Sequence, residues 1–202
     1  MLYGAQPARR ADARRNRSAI LRAACEAMTS PLPAIGMPEI ARRAGIGQAT
    51  LYRHFPDRLA LAGAVITYQI DRLEAFVAAG REQPATFRRA LDEILRTQIA
   101  MRPLVQLSRR LDAATRSRLL RRFSAVLSEP LRRAQDDGHV RADLVPDDLI
   151  LLLSMVEGVV EGAADPASAE AAAGRSIDLA LDGVFRPVSS PSDATVHVGK
   201  LR

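Results

Sequence analysis

Residues 39–58 read EIARRAGIGQATLYRHFPDR, and no other stretch constrains the fold as tightly. Gly45 suits the left-handed position that closes a helix. Pro56 lacks an N–H and stops the next one. Two short helices are therefore joined through Gly45-Ile46-Gly47. Ile40 and Ile46 face inward, Leu51 and Phe55 share a helix face four residues apart, and Ala41 is small where two helices must cross. This pattern predicts a helix-turn-helix. Its second helix then exposes Gln48, Ala49, Thr50, Tyr52, Arg53 and His54. Hydrogen-bonding groups of different reach on a helix of about two turns are what a major groove admits.

The charge distribution agrees. The chain carries a formal net charge of +6. Residues 1–58 hold ten Arg and four acidic residues, so the whole excess lies there. The remainder balances, with 19 basic and 19 acidic groups. Such asymmetry fits a polyanion-binding module joined to a neutral body. A solvated basic tail is the alternative, because residues 9–17 supply half of the ten Arg.

The 202 residues suffice for one domain or two small ones. With 48% apolar residues, a core can form, but aromatic residues make up only 4% and Trp is absent. That core must come from Ala, Leu, Val and Ile, a mixture that favours helices. One Cys excludes a disulfide framework and a thiolate metal site. No apolar run reaches the ~18 residues of a membrane span. The start has no apolar signal segment, so the cytoplasm is the expected compartment. Three His, one Cys and no clustered carboxylates leave no metal, cofactor or nucleophile constellation, and no enzymatic activity is expected. Cys25 reads as a buried small hydrophobe. His139, in a loop, has no partner at metal spacing.

Periodicity predicts an all-α chain. Residues 1–12 form a flexible basic arm, and a helix covers 12–28. Ser30-Pro31-Leu32-Pro33 stops it, and Gly36-Met37-Pro38-Glu39 starts the next. A third helix covers 48–54. Asp57 caps a fourth that reaches residue 79. Five more follow at 85–101, 103–112, 115–137, 146–164 and 168–185, with Pro130 kinking the third of these. The expected domains are a helix-turn-helix unit at 13–57 and a helical body at 58–186. Residues 187–202 read as a disordered tail.

The run AGIGQATLYRHFPDR, the EIA before it, and Ile20-Leu21-x-x-Ala24 in the first helix together resemble the TetR family of tetracycline-repressor-like transcriptional regulators. The likeness covers about residues 14–70. A weaker one lies in Ala134-Gln135-x-x-Gly138-x-Val140-Arg141-x-Asp143, followed by Asp147-Asp148-Leu149. That segment is similar to the loop before the dimer-forming helices in one branch of the family. The resemblance implies an N-terminal three-helix DNA-binding domain and a helical ligand-binding and dimerisation domain. The implied partners are double-stranded DNA with a palindromic operator, a small-molecule effector and a second copy of the chain, with no membrane. Effector binding would change the spacing of the two reading heads and release a repressor. Two other classes stay open: an activator or DNA binder without an effector, and a helical enzyme or carrier using the C-terminal part alone.

By the same resemblance, Gln48 falls where base edges are read, and its amide suits adenine. Thr50, Tyr52 and His54 fall where phosphates are touched. Ala49 shares their surface. Arg53 reads guanine or pairs with phosphate. Arg58 meets the backbone from the fourth helix. Arg14, Arg15 and Arg17 either reach phosphate or belong to a solvated tail. Gly36, Gly47 and Val145 depart from the usual Ser or Thr caps.

In the body, Leu95, Ile99, Arg102, Leu107, Leu120, Phe123, Leu127 and Met155 line a pocket or form ordinary core. The seven Arg between 102 and 122, opposed only by Asp112, suit an anionic effector or an exposed helical face. Leu151, Met155, Gly158 and Gly162, with Ile177, Leu181 and Phe185 on the next helix, form a subunit interface or are buried within one chain.

Overall fold

The computed structural model describes residues 5–29, 36–83, 85–163 and 165–185. Among these residues the chain forms nine helices: α1 (Ala5–Met28), α2 (Met37–Arg43), α3 (Gln48–His54), α4 (Arg58–Ala79), α5 (Thr86–Ala100), α6 (Arg102–Ser108), α7 (Ala113–Asp136), α8 (Pro146–Gly162) and α9 (Pro166–Val184). Extended pairing among them is limited to one antiparallel bridge, Val140 with Phe185. The chain is all-α, with an N-terminal helix-turn-helix part and a helical C-terminal part.

Local chemistry sets the boundaries. The Asp57 carboxylate accepts from the Ala60 N–H at 2.7 Å and starts α4. Asp112 does the same for α7 through Thr115 N–H at 2.9 Å. This bond explains a correction. The expected helix over 103–112 ends at Ser108, because Asp112 is extended backbone that caps the following helix. The first helix also differs: α1 begins at Ala5, inside the stretch read as a loose arm. Pro7 lies in its first turn, where a missing N–H breaks no intrahelical bond. α7 runs through Pro130 to Asp136. Gly45 and Gly138 take positive φ, +67° and +74°, and turn the chain after α2 and α7. The stop at Ser30-Pro31-Leu32-Pro33 and the tail at 187–202 lie outside the described residues.

Two main cores result. The first joins Ile20 and Ala24 of α1, Ile40 of α2, Leu51 of α3, Leu61 and Val65 of α4, and Leu104 and Leu107 of α6. The second joins Ile70 of α4, Leu91 and Leu95 of α5, Phe123, Leu127 and Leu131 of α7, Leu149 and Val156 of α8, and Ile177 and Leu181 of α9. α4 enters both, and its Ile66 packs on each. At 1.5 Å per residue it is a rod of about 33 Å running from one core to the other.

Candidate nucleic-acid interface

α3 is short, and its placement depends on burial. Leu51 and Phe55 are essentially inaccessible, as is Ile40 across the turn. They fasten one face of α3 into the first core and leave the other open. On the open side Gln48, Ala49, Tyr52 and Arg53 are exposed, while Thr50 and His54 are half-buried. Tyr52 is 45% exposed, unusual for a large aromatic side chain that packing could have absorbed. The Arg53 guanidinium donates to Thr50 Oγ1 at 2.9 Å, so these two act from one spot. The helix starts at Gly47 with no side-chain cap, as the sequence indicated, and α2 starts likewise at Gly36.

Cations flank this face. The Arg17 guanidinium lies 4.9 Å from the Phe55 ring centroid, a contact between α1 and the residue that ends α3, and it holds that charge beside α3. Arg58 is half-buried, and its Nε is shielded from solvent without a protein hydrogen-bond partner. Arg14 and Arg15 are exposed on α1, with Arg15 paired to Asp12. The sequence reading missed one network. Glu39 accepts from Arg42 through both oxygens at 2.7 Å and from Arg43 at 3.0 Å. Hydrogen bonds from Arg42 and then Arg43 hold the Glu39 carboxyl down at about 2. The i, i+3 and i, i+4 spacing was the available signal. Cys25, expected to be buried, is half-buried against the first core, and desolvation raises its thiol pKa.

A family model described as bacterial regulatory proteins of the tetR family matches residues 20–65. A second, described as the C-terminal domain of SbtR-like transcriptional regulators, matches residues 84–186, about half of the chain. The chain belongs to the TetR family. It is similar to a TetR transcription regulatory protein from Mycobacterium vanbaalenii, at 30% identity and TM-score 0.64, covering 88% of this chain and 99% of that one. The TetR regulator SCO0520 from Streptomyces coelicolor is similar at 27% identity and TM-score 0.63, with coverages of 84% and 98%. A TetR regulator from Rhodococcus sp. RHA1 follows at 26% and 0.52, with coverages of 84% and 97%. No curated protein matches the chain. TetR proteins are transcription regulators, so this chain is a DNA-binding regulator by family.

In the C-terminal part of this TetR chain, the structure bears on two alternatives that the sequence left open. The eight residues expected around a pocket do not converge on one cavity. Leu95 and Leu127 are fully buried and Phe123 nearly so, all in the second core. Leu107 belongs to the first core. Leu120 and Met155 point outward. Ile99 and Arg102 border a crevice of about 20 Å³ between α5, α6 and α8. The interface set also divides. Leu151 and Met155 are 60% and 63% exposed, and Gly158 and Gly162 are exposed beside them. Ile177 and Leu181, at 0% and 5%, instead pack into the chain's own second core. Phe185 packs against Phe87, the rings tilted by 45° with centroids 5.7 Å apart. The α9 stripe turns inward because α9 lies over α5 and α8. Within the Arg-rich stretch, Arg109 pairs with Glu157 and Glu161 of α8 at 2.9 and 2.8 Å. Arg122 pairs with Asp71 and Glu74 of α4 at 2.6 and 2.9 Å. Both act as ties between helices. Among the described residues, no helix is long and apolar enough to cross a membrane.

Proposed function

We propose that the protein is a homodimeric repressor that reads a palindromic operator with α3 and leaves it when a small molecule binds the helical body. The open, polar face of α3 carries this reading. Gln48, Thr50, Tyr52 and Arg53 are presented on a helix whose other face is fixed by Leu51 and Phe55. It sits in the quarter of the chain that holds the entire net charge of +6. Gln48 reads a base edge, because its amide offers a donor and an acceptor that match adenine. Thr50, Tyr52, His54, Arg17 and Arg58 contact the backbone and set register, and Arg14 adds charge from α1. Ala49 leaves room for the groove wall.

Dimerisation is supported by the uncovered face of α8 and α9. Leu151, Met155 and Val159 of α8 and Leu179 of α9 are large apolar side chains left in solvent. A Cβ added at Gly158 or Gly162 would meet nothing within 4 Å in the single chain. These positions thus leave open space for a neighbouring helix, and two copies of this pair form a four-helix bundle. A dimer places two α3 helices about one DNA turn apart.

Selection of bound DNA from a random pool tests the reading. A near-palindrome should emerge, bound by two chains. Recovery of no consensus, with equal affinity for selected and scrambled DNA at moderate salt, would contradict it.

A further inference from the structure

α6 packs with the DNA-binding head rather than with the body. Met101, which precedes it, and its Leu104 and Leu107 are buried in the first core, together with Ile20 of α1 and Leu61 of α4. α8 belongs to the body. Its Leu149 and Val156 lie in the second core, while Leu151, Met155 and Gly158 form its open face. Between α6 and α8 lies the crevice of about 20 Å³, which Val105 and Gln106 of α6 share with Val156 and Val160 of α8. A hollow with room for about one water is not a close apolar joint. Something other than packing must hold the two helices in register there.

Two ion pairs do so. Arg109, at the C-cap of α6, pairs through Nη2 with Glu157 at 2.9 Å and through Nη1 with Glu161 at 2.8 Å. The two carboxylates stand one turn apart on one face of α8. The planar guanidinium fork straddles that turn, which limits both sliding along the α8 axis and rotation about it. Glu157 is the sheltered member, with its side chain 19% exposed. The arginine is also held from behind, because its carbonyl accepts from Arg116 Nη1 of α7 at 3.2 Å. Among the described residues, no other ion pair reaches α8. Arg102, at the same crevice, and Arg110, the next residue along, form no ion pair with a described residue.

We propose that Arg109 is a positioning residue for DNA reading: by fixing α6 to the interface helix, it sets the separation of the two heads and so the half-site spacing that the dimer accepts. The inference rests on the dimeric regulator proposed above. The separation is transmitted by α1 and α4, which share a core with α6 and carry Arg17 and Arg58 near α3. Partly exposed ion pairs contribute little to stability. Removing this one therefore leaves the fold and the dimer intact and lets the separation of the heads vary. Each half-site is still read by the same α3, so preference within a half-site is kept and only preference for spacing is lost.

The test uses the full chain and the near-palindrome selected from a random pool, remade with its half-sites one base pair closer and one base pair farther apart. The unaltered protein should favour the selected spacing by about tenfold or more. In Arg109→Ala, and in Glu157→Gln/Glu161→Gln, that preference should fall below about threefold, with preference inside each half-site unchanged. The two changes alter net charge in opposite directions, so a common effect on spacing cannot come from attraction to phosphate. Combining them should cause no further loss, because both remove the same contact. Arg110→Ala removes an equal charge at the neighbouring position and should keep the spacing preference. Circular dichroism and sedimentation establish that each variant is folded and dimeric. A preference of about threefold or more in either tie variant would overturn the inference, as would an equal loss in Arg110→Ala or further loss in the combined variant. A tie variant that no longer folds or dimerises would also overturn it, since the tie would then be part of the fold. So would indifference of the unaltered protein to spacing. Binding of the unaltered protein as one chain, or with no consensus, would instead contradict the regulator reading and take the inference with it.

Discussion

At the scale of single residues, the roles proposed for Gln48, Thr50 and Arg58 can be told apart by substitution. Gln48 is exposed on the open face of α3, Thr50 is half-buried and bonded to Arg53, and Arg58 is half-buried with its Nε shielded from solvent. Gln48→Ala is expected to relax preference at one position in each half-site, at about 1–3 kcal/mol per lost base contact. Thr50→Ala and Arg58→Ala should weaken binding to all sequences alike. Binding profiles over single-base operator variants distinguish the two; uniform weakening by Gln48→Ala would place it among the phosphate contacts. Glu39 bears on the same surface. Its carboxyl, held at about 2 by Arg42 and Arg43, stays ionised at any pH where the protein is studied. Because its folded pKa is depressed, its contribution is present above the ordinary carboxylate range and is lost only as pH falls towards 2. Glu39→Gln removes that charge at neutral pH and frees both guanidinium groups. DNA affinity should rise at low salt, with the log–log salt slope steeper by about 0.9 for each new phosphate contact. An unchanged slope would show that Arg42 and Arg43 do not face the DNA. The exposed position of Gln48 on α3 and the Glu39 spacing were readable from sequence. The Arg17–Phe55 contact was not, because it depends on how α1 crosses α3.

Helices are the next scale, and here the sequence was an uneven guide. α2, α3 and α4 were readable nearly to the residue, since Gly45, Gly47, Pro56 and Asp57 punctuate them. The α6–α7 junction was not, because Asp112 can end one helix or cap the next and only its bond to Thr115 decides. The inward turn of Ile177 and Leu181 was hidden for a related reason. Periodicity marks an apolar stripe but not which neighbour it meets. α8 retains its exposed face, and Gly158 tests it. Within one chain, Gly158→Leu meets no atoms at Cβ and replaces a poor helix former, so the isolated fold should be unharmed or steadier by about 0.5–1 kcal/mol. Across a two-fold interface the same change is met twice and should weaken dimerisation by about 1–3 kcal/mol per site. Sedimentation with circular dichroism separates these effects. A folded, fully dimeric variant would move the interface elsewhere. Leu51→Ala acts on the other core. Emptying a fully buried position where α3 meets α1 and α4 should cost about 2–5 kcal/mol in denaturant unfolding. A loss below about 1 kcal/mol would mean that α3 is not held by Leu51.

For the whole molecule, the two-core arrangement explains how a charged head and a neutral body work together. The head carries all six excess charges, while the body's Arg109 and Arg122 are spent on ties between helices. α4 belongs to both cores. The division of charge was plain in the sequence. The tie from Arg109 to α8 was not, since its members come from separate segments that only folding assembles. The claim that most needs testing is that two such heads read one DNA site together. Titration of the full-length protein onto its selected near-palindrome, repeated over a range of salt, measures stoichiometry, specificity and charge contacts in one series. Two chains per site are expected, with half-site centres about one helical turn or slightly more apart and affinity falling steeply with salt. One chain per site, or scrambled DNA bound as tightly as the palindrome at moderate salt, would contradict the assignment of α3 as a paired reading helix.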